Sequence, residues 1–146
     1  MRTYCTLVIS TSEEVDLCSI MSSLFGVEPS TFVDNQREER QEGIARLRKA
    51  LPKLASVRPP RYVWTLSSQG HVDSDDFAAH ARWLLGEVGG SGHQLHELEQ
   101  RSCVVYMTCF WEGAGRGGGA TISPDIAKRL AVEGIELRFD NYFVDE

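Results

Sequence analysis

The sequence predicts an α+β domain: one mainly antiparallel or mixed sheet of four to five strands with helices packed on it. Three observations carry that expectation. β-rich segments alternate with stretches of helical periodicity, and the helical stretches are punctuated by capping residues and glycine stops. The chain of 146 residues, 42% hydrophobic, is long enough to bury one compact core. The expected order is β-α-(α)-β-α-β-α-β in a single domain, 1–146, with a charged, partly helical insertion at 32–60.

Thr3 to Ser10 alternates, with Cys5, Leu7 and Ile9 on one face of a strand. Thr11 and Glu14 have capping-box spacing, Leu17, Ile20, Met21 and Leu24 recur at helical intervals, and Gly26 stands at a C-terminal cap. Residues 36–51 predict a peripheral helix with a narrow apolar stripe of Ile44, Leu47, Ala50 and Leu51. Tyr62–Ser67 is a clear strand. Asp73 or Ser74 then caps a helix that keeps Phe77, Ala81, Leu84, Leu85 and Val88 on one face and stops at Gly89 and Gly90. A short helical turn carries Leu95 and Leu98. Ser102–Trp111 is apolar on both sides, which predicts a central strand covered on both faces. A short extra strand is expected at Ala120–Ile122. Ser123, Pro124 and Asp125 start a last helix that turns Ile126, Leu130 and Ala131 inward and stops at Gly134; Ile135, Leu137 and Phe139 alternate with polar residues in a final strand.

The net charge of −6 conceals an asymmetry: residues 34–62 carry eight Arg or Lys against four acids, leaving −10 on the remainder. An acidic body favours cationic partners and disfavours nucleic acid. The basic segment is expected to dock on the protein's own acidic surface. No apolar run reaches the length of a membrane span, and MRTYCTLVIS does not read as a secretory signal, so the expectation is a cytoplasmic protein with no membrane partner. The four cysteines form no C-x-x-C and no compact Cys/His cluster; Cys103 and Cys109 lie too far apart along one strand to bond, and all four read as small buried hydrophobes.

The stretch WEGAGRGGGATISP, residues 111–124, sets Gly113, Gly115 and Gly118 at dinucleotide-fingerprint spacing, with Asp140 downstream. In a dinucleotide site the helix begins inside the glycine motif, so that its free N–H groups meet the pyrophosphate. Here the helix signal comes five residues after Gly118. A hairpin-like mobile loop at 112–119 is the better reading, with no cofactor. His93 and His96, and His71 with Asp73, lack a third metal ligand at a recognisable spacing, and Asp73, Asp75 and Asp76 do not follow a calcium-loop pattern; no metal site is expected.

Several motifs taken in order carry a resemblance. Phe25–Ser30 is similar to an L-G-I-x-P-T pattern, Trp64–Ser67 to a W-x-L-x-S strand, and Phe77–Leu85 to the helix that follows. Gly118, Gly119, Ser123, Gly134, Asp140 and Tyr142 resemble a closing GG…S…G…D-x-Y segment. Together they resemble the bacterial domain-of-unknown-function family 4279, over most of the chain except about 32–60. The resemblance carries no catalytic residues. By analogy, small domains of this kind look like immunity proteins encoded beside bacterial toxins.

The function expected is therefore a non-catalytic protein-binding domain, an immunity protein that neutralises a toxin, with a basic toxin domain as partner. The expected contact residues are Trp111, Glu112, Arg116, Asp140, Tyr142, Asp73, Asp75 and Asp76; Trp111, at a strand end, reads either as core packing or as an exposed anchor beside the glycine loop, and Arg116 stands at the loop's tip. The alternative is a small-molecule or nucleotide-binding domain, or a minor enzyme, that uses Glu112, Arg116 and Asp140 beside the glycine loop.

Overall fold

The computed structural model describes residues 2–54, 56, 58–114 and 119–144. Among the described residues five strands are formed: β1 (Arg2–Thr11), β2 (Thr31–Asp34), β3 (Tyr62–Ser67), β4 (Cys103–Ala114) and β5 (Glu136–Val144). The helices are α1 (Leu17–Phe25), α2 (Glu38–Ala50), α3 (Phe77–Gly89) and α4 (Pro124–Glu133), with 3-10 turns at Pro52–Leu54 and Leu95–Arg101. The sheet order is β2-β3-β1-β4-β5. Its first three pairings are antiparallel and β4–β5 is parallel, so the sheet is mixed and the α+β expectation holds.

Local chemistry explains most element boundaries. The Asp16 carboxylate accepts the Ser19 N–H at 3.1 Å and starts α1, while Gly26 closes it in the left-handed conformation at φ 65°. The expected capping box at Thr11 and Glu14 is absent: Thr11 ends β1, and its hydroxyl accepts the Glu13 N–H instead. Helix α3 is capped by Asp76, whose carboxylate accepts the Ala78 N–H at 3.0 Å, rather than by Asp73 or Ser74. Pro124 opens α4 and Gly134 closes it at φ 68°, as the sequence predicts.

Three expectations are corrected. The four-residue edge strand β2 went unseen in the sequence. Residues 120–122 form no strand. Residues 112–114 of the expected hairpin-like loop instead extend β4, which pairs in parallel with β5 through the crossover helix α4, and residues 115–118 of that loop lie outside the described residues.

The core lies on one face of the sheet. Cys5, Leu7, Ile9, Trp64, Leu66, Val105, Met107 and Cys109 meet Leu17, Met21 and Phe25 of α1, Phe77, Ala81, Leu84, Leu85 and Val88 of α3, and Ile126 and Leu130 of α4. Ala131 of α4, expected to face inward, is exposed. Helix α2 contributes no buried residue, in keeping with its charged sequence. The opposite face of the sheet is open. Because side chains alternate, it is lined by Arg2, Tyr4 and Thr6 of β1, Val104, Tyr106, Thr108, Phe110 and Glu112 of β4, and Glu136, Arg138, Asp140 and Tyr142 of β5. β4 is central, as expected, but covered on one face only: Val104 is 55% exposed.

Candidate functional site

The sheet register assembles an exposed aromatic and charged cluster at one end of the open face. Arg2 stands opposite Glu112, Tyr4 opposite Phe110, Phe110 opposite Asp140 and Glu112 opposite Tyr142. The Tyr4 and Phe110 rings stack with centroids 4.7 Å apart, and Phe110 meets Tyr142 at 5.1 Å. The Arg2 guanidinium covers Phe110 at 5.0 Å from the ring centre and reaches the Glu112 carboxylate at 3.4 Å. One pair further along, Arg138 lies 3.7 Å above the centre of the Tyr106 ring and donates to Glu136 at 2.8 Å. The Glu136 carboxylate holds the Arg138 guanidinium above its ordinary range, so that charge is fixed.

The loop after β3 brings further acids to the same end. Asp73, Ser74 and Asp75 line a cleft of about 170 Å³ together with Arg2 and Tyr4. Four residues expected from the sequence to contact a partner, Glu112, Asp140, Tyr142 and Asp73, thus surround one patch, with Asp75 beside Asp73. Asp76 is turned to capping α3. Trp111 is corrected: it alternates to the helix-covered face, is 5% exposed, and is a packing residue instead of an exposed anchor. Arg116 and Gly115–Gly118 lie outside the described residues. The fingerprint geometry is not met where it can be seen, since α4 starts at Pro124, ten residues after β4 ends at Ala114.

Sequence reasoning missed Tyr4, Phe110, Arg2 and Arg138. The alternation of Tyr106, Thr108, Phe110 and Glu112 on one side of a strand was a readable signal, but the two-sided apolarity of β4 concealed that one side is open. It also missed a buried polar link. The Ser68 hydroxyl and His80 Nδ1 lie 2.8 Å apart, and His80 Nε2 lies 2.7 Å from the Ser74 carbonyl oxygen. A carbonyl only accepts, so Nε2 carries a proton; Nδ1 of the neutral ring and the Cys5 carbonyl at 3.2 Å are the two acceptors for the Ser68 hydroxyl, whose oxygen in turn accepts the Cys5 N–H at 2.9 Å. Ser68 is 0% and His80 1% exposed. This Ser–His pair is buried inside the fold, where it ties β1, the post-β3 loop and α3 together.

Cys5 and Cys109 are direct partners across β1 and β4, both fully buried. The neighbouring Cys109 thiol and burial push the Cys5 thiol well above its ordinary range. Cys18, on α1, is half-buried and not a core residue; burial, then Asp16 and Glu28, push its thiol up. Among the described residues, no group of three or more His, Cys, Asp or Glu is placed to hold a metal ion. Among the described residues, no helix is long and apolar enough to cross a membrane.

No curated protein and no solved structure matches the chain. The family described as domain of unknown function DUF4279 matches residues 2–144, a span that takes in the charged segment 32–60. The chain belongs to that DUF4279 family.

Proposed function

We propose that this chain is a non-catalytic protein-binding domain that presents the open sheet face at β1, β4 and β5 to a basic protein. In its most specific form the reading is an immunity protein that neutralises a bacterial toxin in the cytoplasm. The observation that carries the reading is the stack of Tyr4, Phe110 and Tyr142 on the open face, ringed by Glu112, Asp140, Asp73 and Asp75. Aromatic side chains that bury large area at low entropy cost, surrounded by charge, are the usual composition of binding hot spots. Tyr142 is 55% exposed, so its ring area is available to a partner.

Electrostatics supports the same choice of partner. With −10 outside residues 34–62, the body of the protein attracts a cationic surface, and charge complementarity speeds encounter more than it adds affinity. The sealed Ser68–His80 pair gives no nucleophile, which favours binding over hydrolysis. The four free thiols fit a reducing compartment.

The test is co-expression with the protein encoded by the neighbouring gene. Protection of the host from that protein, and co-elution of the two as one complex, support the reading. Toxicity undiminished by co-expression, with the two proteins eluting separately, contradicts it.

A further inference from the structure

A second concave site lies at the opposite end of β1 from the aromatic patch. It is a cleft of about 450 Å³ between α2 and the segments flanking β3, and its walls include Asn35, Gln41, Arg48, Arg58 and Arg61, with Ser12 at the end of β1. We propose that this cleft binds a diphosphate-bearing small molecule, with the guanidiniums of Arg48, Arg58 and Arg61 taking the phosphate oxygens. This inference stands apart from the sheet-face reading and survives or fails without it.

The charge argument comes first. Three guanidiniums line the cleft and none of its described lining residues is a carboxylate, in a protein whose net charge is −6. Concave walls of one sign concentrate counter-ions against the surrounding field. Arg61 does contact Glu14 at 3.5 Å, but that carboxylate is 82% exposed and screened by solvent, so it competes weakly for the guanidinium. The Arg61 Nε is buried and has no hydrogen-bond partner among the described residues. A buried donor left unpaired is costly, and an anion oxygen relieves that cost.

The cleft is also built. The Asn35 side-chain amide donates to the Pro60 carbonyl at 2.7 Å, and the Gln41 amide donates to the Asn35 carbonyl at 2.9 Å. These two bonds fasten the start of α2 to the chain entering β3. Arg61 is steadied by lying 4.8 Å from the centre of the Tyr62 ring. Gln41, Ile44 and Arg48 fall on one face of α2 at intervals of three and four and line the cleft together. Helix α2 buries no side chain in the core, so lining this cleft is the structural task its placement reveals.

Chemistry selects the ligand. Arginine forks match phosphate geometry in paired hydrogen bonds, and three of them exceed what one carboxylate uses. A volume of about 450 Å³ is larger than a lone phosphate fills and falls within the range of small-molecule sites. A diphosphate supplies the charge and acceptors, and the substituent it carries occupies the remainder, beside Ile44 and Pro59.

Isothermal titration calorimetry of the full chain with inorganic pyrophosphate and, separately, with a nucleoside diphosphate tests the proposal. One saturable site is expected. Arg58→Gln weakens it by roughly tenfold or more, the loss of one charged hydrogen-bonding partner. Arg58→Lys, which keeps the charge and loses the fork, falls between, and Arg138→Gln on the open sheet face leaves binding unchanged. Tighter binding of the nucleoside diphosphate than of pyrophosphate supports a ligand with an organic substituent. No saturable binding of either probe overturns the proposal. So does an affinity unmoved by Arg58→Gln, or a tricarboxylate that binds more tightly than pyrophosphate.

Discussion

The indole of Trp111 lies against the backbone of Gly113, two residues along the same face of β4, so closely that a Cβ at 113 would overlap the ring. The relationship explains the first glycine of the loop without a cofactor: Gly113 is glycine because the tryptophan occupies the space of its side chain. Gly113→Ala is therefore expected to destabilise the fold by about 1–3 kcal/mol, the cost of forcing an extra methyl into a packed site. Urea denaturation reads this directly. A midpoint equal to that of the wild type removes the packing role.

The buried Ser68–His80 link is expected to matter for stability and not for binding. His80→Leu leaves the Ser74 carbonyl without its imidazole donor, at about 1–3 kcal/mol, while the Ser68 hydroxyl keeps its hydrogen bonds to the Cys5 backbone. Thermal unfolding should show a clear drop, while affinity for a partner at the open face remains as before. An unchanged melting temperature contradicts the inferred tautomer and its hydrogen bonds.

Thiol reactivity should separate the cysteines. Cys5, Cys103 and Cys109 are buried, and Cys18 is half-buried on α1, so Cys18 is expected to be alkylated first in the native protein. Burial and the neighbouring Asp16 and Glu28 carboxylates raise its thiol, which makes the reaction slow near neutral pH and faster only well into the alkaline range. Asp16→Asn, which keeps a side chain able to cap α1, should accelerate it. Mass spectrometry of partially alkylated protein locates the label. First labelling at Cys5 or Cys109 contradicts the burial described above.

Acid should weaken the protein partly through two helix-start carboxylates. Asp16 is held below its ordinary range by the Ser19 N–H, and Glu97 by the Gln94 N–H and His93. A carboxyl lowered by folding contributes stability that is fully present above its unfolded pKa and is lost as pH falls through the folded one. Melting temperature is thus expected to fall as pH drops through and below the ordinary carboxylate range. Asp16→Asn should flatten part of that decline while leaving the neutral-pH value close to wild type. A decline of the same steepness in the variant contradicts the assignment.

These residues also show how much the sequence discloses. β3 was legible because alternation, turn residues and proline boundaries all agree over Tyr62–Ser67. α4 was legible because serine, proline and glycine mark its two ends. β2 was not, since four residues at a sheet edge carry too little periodicity, and Phe32 at 38% exposure gives no core signal. The start of α1 was misplaced because Thr11 and Asp16 offer competing caps, and only tertiary pairing of Thr11 with Cys103 and Tyr62 decides between them. The site was half legible. Glu112, Asp140 and Tyr142 were named from local character, but their convergence depends on the parallel register of β4 and β5, which chain spacing does not encode. Trp111 was misassigned because neighbouring strand residues point to opposite faces, and the face that held the core was not determined by β4 alone.

The central claim is that the open face carrying Tyr4, Phe110, Glu112, Asp140 and Tyr142 is the surface that holds a basic protein partner. The affinity of the neighbouring gene's product for wild type, Tyr142→Ala and Asp140→Arg, measured by isothermal titration calorimetry, tests it most directly. Both substituted residues are exposed, so both variants should remain folded. The predicted result is tight binding by the wild type, with a loss of roughly thirtyfold or more in each variant, as for removal of a hot-spot residue. Affinity that stays at the wild-type value in both variants, or no binding by the folded wild type, would contradict the account.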